Sequence, residues 1–367
     1  MRITNSGQEL TKYSRAKIIP VFLPNQGCPN RCIFCNQKEV VGSSLIHDPQ
    51  EIYPLIQTCL QTIRQTRQRK QSGFPGRIEV AYYGSNFTGM TADVQREFLL
   101  PAARAVHEGH IDGIRISTRP DYISGDGLQF LADHGVRTIE IGVQSMDEDV
   151  LRKAGRPYSG DQVAGAVGLL HQHRFTIGLH LMVGLPGESR ESLYDTVERV
   201  IRLSPHFVRI HPTLVIKDTE LERMYRRGSY TPLTLEEAVG ICKELSLRLT
   251  GSGIDVARIG LQSVPGMLNA GIVVAGPFHP ALGELVTSSI AFDRMQELLA
   301  RHDGQGRRLV IMVPERELSI FIGHNRQNLN RLQQDCRCRQ IRIQPDRSLE
   351  PGGLRCGEIP DSPASPQ

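Results

Sequence analysis

The chain has no tryptophan, an absence that excludes nothing on its own. Other absences decide more. No apolar run approaches the roughly 18 residues needed to span a bilayer. The first ten residues, Met1 to Leu10, are polar and lack the apolar stretch of a secretory signal. Eight cysteines in 367 residues fall well short of a disulfide scaffold. A net charge of only +4 neither demands a nucleic-acid partner nor rules one out. No internal repeat and no long low-complexity segment is present. These absences lead us to expect a soluble, cytoplasmic protein that does not engage a membrane.

What is present is an alternating pattern. The hydrophobic fraction of 39% supports a core, and 35 Gly and 22 Pro suit a fold with many strand–loop–helix junctions. Between about 17 and 216, six short apolar strands alternate with helical stretches. The strands are Ile18 to Leu23, Arg77 to Tyr83, Gly113 to Ser117, Thr138 to Val143, Thr176 to Val183 and Phe207 to Ile216. Such alternation implies βαβ units and a parallel sheet, either a partial barrel or an open doubly wound sheet. The expected organisation is an N-terminal tail at 1–15, a core at 16–250 and a smaller C-terminal α+β region at 251–345. A disordered tail rich in Pro, Gly and Ser is expected at 346–367. Asp255 to Leu261, Arg308 to Val313 and Gln340 to Ile343 are further strand candidates, and Leu235 to Thr250 is a long helix.

Three of the eight cysteines crowd into Gly27-Cys28-Pro29-Asn30-Arg31-Cys32-Ile33-Phe34-Cys35-Asn36, directly after the first strand. Parallel α/β folds place their sites at the C-terminal ends of strands. Clustered thiolates select zinc or iron–sulfur. Structural zinc takes four ligands in a closed shell, and here three lie together. An iron–sulfur cubane normally takes four thiolates, so three leave one iron with an open position. A zinc site completed by a distant ligand, or three unrelated buried thiols, are the other readings of this loop.

With Phe34 before its last cysteine, the C-x3-C-x2-C spacing resembles the signature loop of the radical S-adenosylmethionine (radical SAM) superfamily. The resemblance implies a partial (β/α)6 parallel barrel of the radical SAM type. It implies a [4Fe–4S] cluster on Cys28, Cys32 and Cys35, with S-adenosylmethionine on the open iron. It also implies reductive cleavage to a 5′-deoxyadenosyl radical, with electrons from a reduced flavodoxin or ferredoxin-type donor. Tyr83-Gly84-Ser85-Asn86-Phe87-Thr88-Gly89 stands where the family has a Gly-Gly-Glu-like turn whose backbone holds the amino group of the cofactor. The second Gly and the Glu are lacking, so only a backbone role carries over to Gly84 and Ser85. By the same match Ser117 and Gln144 face the ribose and methionine parts, and Arg156 reaches the cofactor carboxylate. Bland readings stand beside these: Gln144 as a helix cap, Arg156 as a solvated surface residue, His180 as a barrel-lining histidine.

Ile116 to Asp121, Glu140 to Ser145 and Leu181 to Glu188 are similar to segments of the Elp3-like and coproporphyrinogen-dehydrogenase-like branches. Likeness to the radical SAM half of Elp3, over about 16–250, implies a stand-alone relative without the acetyltransferase domain and a tRNA substrate. A small-molecule substrate of the coproporphyrinogen-dehydrogenase kind is the alternative, and a non-catalytic zinc protein the third.

Some residues lie outside this pattern. Cys336, Cys338 and Cys356 read as an auxiliary cluster or as free thiols, and Cys59 and Cys242 as core. Arg316, His324, Asn325, Arg326, Asn328, Arg331, Arg337 and Arg339 form a basic, amide-rich segment, either phosphate-binding or a solvated helix face. The loop Gly276-Pro277-Phe278-His279-Pro280 is a candidate cover for the barrel mouth.

Overall fold

The computed structural model describes residues 16–24, 26–28, 32–37, 45–70, 76–261, 271–302, 306–336 and 338–359. The expected tail at 1–15 and Arg337 lie outside them. No helix among the described residues is long and apolar enough to cross a membrane.

Two compact units divide the chain. The larger comprises Thr11–Ala238 with Leu245–Pro280. Its sheet takes strands β1 (Lys17–Phe22), β2 (Ile78–Tyr83), β3 (Gly113–Thr118), β4 (Val136–Gln144), β5 (Thr176–Val183) and β6 (Phe207–Pro212) in sequence order. Every pairing is parallel. Helices α1 (Ile52–Lys70), α2 (Ala92–His107), α3 (Gly125–Asp133), α4 (Glu148–Lys153), α5 (Gly160–Gln172) and α6 (Arg190–Arg202) fill the crossovers. Strands buried on both faces read as near-continuous apolar runs, and Ile78, Val80, Ala81 and Tyr82 of β2 are all buried. The helices start where the chain supplies caps. Ser159 with Gln162, and Ser189 with Ser192, close reciprocal capping boxes at α5 and α6.

The short ribbon β7 (Val215–Ile216) and helices α7 (Glu220–Arg226) and α8 (Leu235–Gly251) follow. Then comes β8 (Asp255–Ile259), which pairs parallel with β6 as a seventh sheet strand. The sequence reading ends the sheet at six strands and assigns this segment to the C-terminal region. It misses the seventh because residues 213–254 depart from the strand–helix rhythm before the chain returns to the sheet. The curl of the sheet shows in its polar interior. Side chains from β2, β3, β5 and β6 all meet Glu140 of β4, which requires a concave face. Strand β9 (Val273–Ala275) pairs antiparallel with β7, and Phe278 of the candidate covering loop packs beside Leu214, Ile216 and Ile272.

The smaller unit holds Ala281–Gln367 with Val239–Glu244. Strand β10 (Arg308–Val313) is central, between β11 (Gln340–Pro345), parallel, and β12 (Arg355–Glu358), antiparallel. Helices α9 (Leu282–Ala300), α10 (Leu318–Ile322) and α11 (Gln327–Asp335) cover it with Phe292, Met295, Phe321 and Leu332. The segment expected to be a disordered tail therefore supplies a strand, as far as residue 359. Its Pro, Gly and Ser content masked a short pairing edge, Arg355-Cys356-Gly357-Glu358. Asn328, read as part of a phosphate-binding segment, is buried and donates to Ser288 O at 2.9 Å. Arg331 lies over the Phe292 ring, 4.0 Å from its centroid. Cys336, Cys338 and Cys356 form no disulfide and pack against this core, and the Cys338 N–H donates to Cys336 Sγ at 3.2 Å.

Candidate functional site

The C-terminal ends of β1 to β5 bring together most of the residues singled out in the sequence. The cysteine loop leaves β1 and is fastened to its neighbours by one buried amide. Asn86, just past β2, donates from Nδ2 to Gly27 O at 2.7 Å. Its Oδ1 accepts from Thr118 Oγ1 at 2.7 Å and from the Arg119 N–H at 3.1 Å, at the end of β3. Gly27 has φ +69°, and a Cβ there would sit 2.5 Å from Asn86 O, so only glycine fits this crossing. Gly84 closes β2 with φ +87°, and its Cβ would lie 2.7 Å from Leu23 O.

Each thiol has its own donor. Arg119 Nη1 donates to Cys28 Sγ at 3.7 Å, and Arg156 Nη1 to the buried Cys32 Sγ at 3.0 Å. Burial, with the Cys32 and Cys28 sulfurs close by, pushes the Cys35 thiol up to about 11, opposed by Arg156 and a hydrogen bond with Gln37. Phe34 packs between two apolar clusters, one of Val150, Ala154, Met182 and Leu185, the other of Val215, Leu221 and Tyr230.

Arg156 is thus no solvated surface residue. It donates from Nε to Tyr158 Oη at 2.6 Å and from Nη2 to Gly142 O at 2.5 Å. Tyr158 lies between two guanidiniums, its centroid 5.0 Å from that of Arg156 and 5.9 Å from that of Arg119. Gln144 ends β4 at φ +67°, next to a register shift at Gly142. Left-handed backbone is costly for a residue other than glycine and concentrates at ligand sites. Gln144 caps no helix, for Asp147 is the N-cap of α4. Ser117 Oγ is buried with no hydrogen-bond partner among the described residues. Ser85 is half-buried beside Gly84.

Below this rim the concave face is a closed ion network. Glu140, fully buried, accepts from Arg115 Nη1 at 2.7 Å, from Arg209 Nη2 at 3.0 Å and from Tyr83 Oη at 3.3 Å, and bonds His180 Nε2. Burial alone would raise its carboxyl. Arg209, His180 and Arg115 outweigh burial and hold it well below the usual carboxylate range. Arg115 also binds Glu79 Oε2 at 2.8 Å through Nε. His180 is therefore a lining residue with a carboxylate partner. Burial and the nearby His180 and Arg209 press the neighbouring His211 down to about 3 and keep it neutral.

The sequence reading missed Asn86 and Arg119 as organising residues, and the charged lumen altogether. A signal for the lumen existed: β2, β3, β4 and β6 each hold a charged residue, Glu79, Arg115, Glu140 or Arg209, flanked on both sides by apolar neighbours.

Three thiols on one loop, with guanidiniums aimed at two of them, match the donor set of an iron–sulfur cluster. Among the described residues no group of three or more His, Cys, Asp or Glu is gathered around a single metal ion. A cubane makes a different demand, because its thiolates share four irons rather than one. Against protein-family models, residues 22–200 match the radical SAM superfamily and residues 205–291 match the radical SAM C-terminal domain. The chain belongs to the radical SAM superfamily. Among curated relatives of this radical SAM chain is a tRNA uridine(34) acetyltransferase of Methanocaldococcus infernus. It is 27% identical over 304 residues, covering 74% of this chain and 56% of the relative. An uncharacterized protein of Methanocaldococcus jannaschii is 27% identical over 272 residues, covering 71% of this chain and 80% of the relative. The solved structure of the archaeal Methanocaldococcus infernus Elp3 with an N-terminal deletion superposes with a TM-score of 0.56. The identity is 23%, and the match covers 77% of this chain and 63% of that one. This likeness shows the shared half-barrel fold. The chain spans just over half the length of the acetyltransferases it matches.

Proposed function

We propose that this chain is a radical SAM enzyme acting on tRNA, with Cys28, Cys32 and Cys35 holding a [4Fe–4S] cluster. The observation that carries the reading is the three-cysteine loop at the mouth of the half-barrel, with Arg119 and Arg156 donating to Cys28 and Cys32. Cys28, Cys32 and Cys35 would hold the cluster, which when bound would supply one-electron reductive cleavage of S-adenosylmethionine and, through it, hydrogen-atom abstraction from substrate.

The residues of the chain bind, orient and enclose. Gly84 lets the backbone after β2 approach the amino group of S-adenosylmethionine, with Ser85 beside it. Arg156, fixed by Tyr158, Gly142 and Cys32, has one further N–H on each terminal nitrogen for the carboxylate. Ser117 Oγ and the Gln144 amide serve the ribose and methionine parts. Phe34, between its two apolar clusters, keeps water from the loop. A reduced flavodoxin or ferredoxin-type protein is the electron donor.

Two observations support tRNA. A curated relative that matches 74% of this chain is named for a tRNA uridine. The smaller unit exposes Arg316, Arg326 and Arg339. A small-molecule substrate is the second reading, favoured by the arginine and histidine lining of the lumen. The test is anaerobic reconstitution followed by tRNA binding at several salt concentrations. We expect about four irons and four sulfides per chain, lost when any of the three cysteines becomes Ala. Changing Arg316, Arg326 and Arg339 to Gln together should weaken tRNA binding and flatten its salt dependence. Stoichiometric zinc without iron would overturn the enzyme reading. Absence of tRNA binding at low salt would transfer the case to a small molecule.

A further inference from the structure

Arg119 belongs to no role assigned so far. Its side chain is 4% exposed, and its planar fork is divided between two partners. Nε and Nη2 form a bidentate pair with Asp121, at 2.9 and 2.7 Å. Nη1, on the opposite edge of the guanidinium, donates to Cys28 Sγ. Asp121 is placed for this by the single turn Pro120–Tyr122, which follows Arg119 at once. The main chain is pinned as well, because the Arg119 N–H binds Asn86 Oδ1 while Asn86 Nδ2 holds Gly27 O, the carbonyl preceding Cys28. The rings of Tyr122 and Tyr158 lie 5.5 and 5.9 Å from the guanidinium carbon and keep it out of water. A rigid, buried, permanently charged donor is thus fixed on one cluster-loop sulfur.

We propose that Arg119 sets the reduction potential of the cluster through Cys28, as a positioning and tuning residue rather than a catalytic one. The inference rests on the assignment of Cys28 as a cluster ligand. In the step concerned, the donor loses one electron and the cluster gains one, with no bond made or broken and no proton moved. The reduced form carries one more negative charge, so a fixed cation at the ligand sulfur favours it. Hydrogen bonds to ligand sulfurs act in the same direction, and burial strengthens both effects. Arg119 therefore makes the cluster easier to reduce. Because a guanidinium does not titrate in this range, the effect is independent of pH. Asp121 absorbs part of the charge and fixes the direction of the fork, which leaves Nη1 as the one donor edge turned to sulfur.

The test compares wild type, Arg119→Gln and Arg119→Lys after anaerobic reconstitution. Iron and sulfide content, thermal melting and an EPR-monitored dithionite titration are measured at pH 7 and 9. The expected result is equal cluster content in all three proteins. The Gln variant should show a more negative midpoint, by about tenfold in the one-electron equilibrium, which is about 59 mV. The Lys variant, which keeps the charge and loses the fork, should recover most of this, with the same shifts at both pH values. A fully loaded Gln variant with an unchanged midpoint overturns the inference and leaves the proposed function standing. So does a folded Gln variant that cannot hold the cluster, since Arg119 would then only shape the loop. Equal falls in both variants overturn charge as the cause. A wild type that takes up no iron sinks the proposed function and this inference together.

Discussion

Glu140 and Glu188 are both carboxylates largely shielded from water in the larger unit, one in the lumen on β4, the other on the loop after β5. Two guanidiniums, the His180 imidazole and a phenol surround Glu140, and Arg209, His180 and Arg115 hold it ionised. Glu188 has backbone partners for one oxygen only, with the Gly184 N–H at 2.6 Å. Its Oε1 is buried with no partner among the described residues. Burial pushes its pKa up to about 7, against the pull of the Gly184 and Leu185 amides. The same contrast separates lumen from rim. In the lumen Glu79 and Glu140 answer Arg115 and Arg209 nearly charge for charge. At the rim lie a strained Gln144, an unbonded Ser117 hydroxyl and guanidiniums turned to sulfur. Functional sites tolerate breaches of local rules, and Gln144 and Ser117 place two such breaches at the rim.

The contrast can be broken most forcefully in the lumen. Glu140→Ala strands Arg115 and Arg209 without a shared anion, and we expect a loss of about 3–5 kcal/mol in unfolding free energy. Denaturant unfolding measures it, and a loss below about 1 kcal/mol would show the network to be solvated. The rim carboxylate should respond in the opposite sense. The folded pKa of Glu188, about 7, lies above its ordinary 4.5, so the folded protein holds the proton more tightly. Its contribution to stability is complete below about pH 4.5 and is lost as pH rises through 7. Glu188→Gln should match wild type at pH 4.5 and exceed it at pH 8 by up to about 3 kcal/mol. Parallel melts across that window would reveal it, and a pH-independent difference would contradict the burial of Glu188. The smallest effect sharpens the contrast further. Gln144→Gly relieves the left-handed backbone and should stabilise by about 1 kcal/mol. S-adenosylmethionine affinity, read by calorimetry on the reconstituted protein, should fall. Tighter binding would remove Gln144 from the site.

Much of this was legible in the chain. The strands from Lys17 to Pro212 show as short apolar runs because parallel strands are buried on both faces. The cysteine loop shows because thiolate spacing is a local property. What was hidden depended on distance. Cys28 and Arg119 are 91 residues apart, and Gly27 and Asn86 are 59 apart. Neither pairing has a local signature, and register alone brings the ends of β1, β2 and β3 side by side. The bland reading of Arg156 failed for a related reason. Its burial comes from Tyr158 and from Cys32, which lies 124 residues away.

The antiparallel strand at Arg355–Glu358 has a consequence for synthesis and handling. Its partner β10 is made some forty residues earlier and can reach only β11 until the later segment emerges. During that interval the Leu309–Met312 edge offers unpaired amides and carbonyls to any neighbouring chain. Nascent or proteolysed molecules lacking 355–358 would be drawn into edge-to-edge aggregates, while the parallel sheet of the larger unit, already complete at residue 259, would be spared.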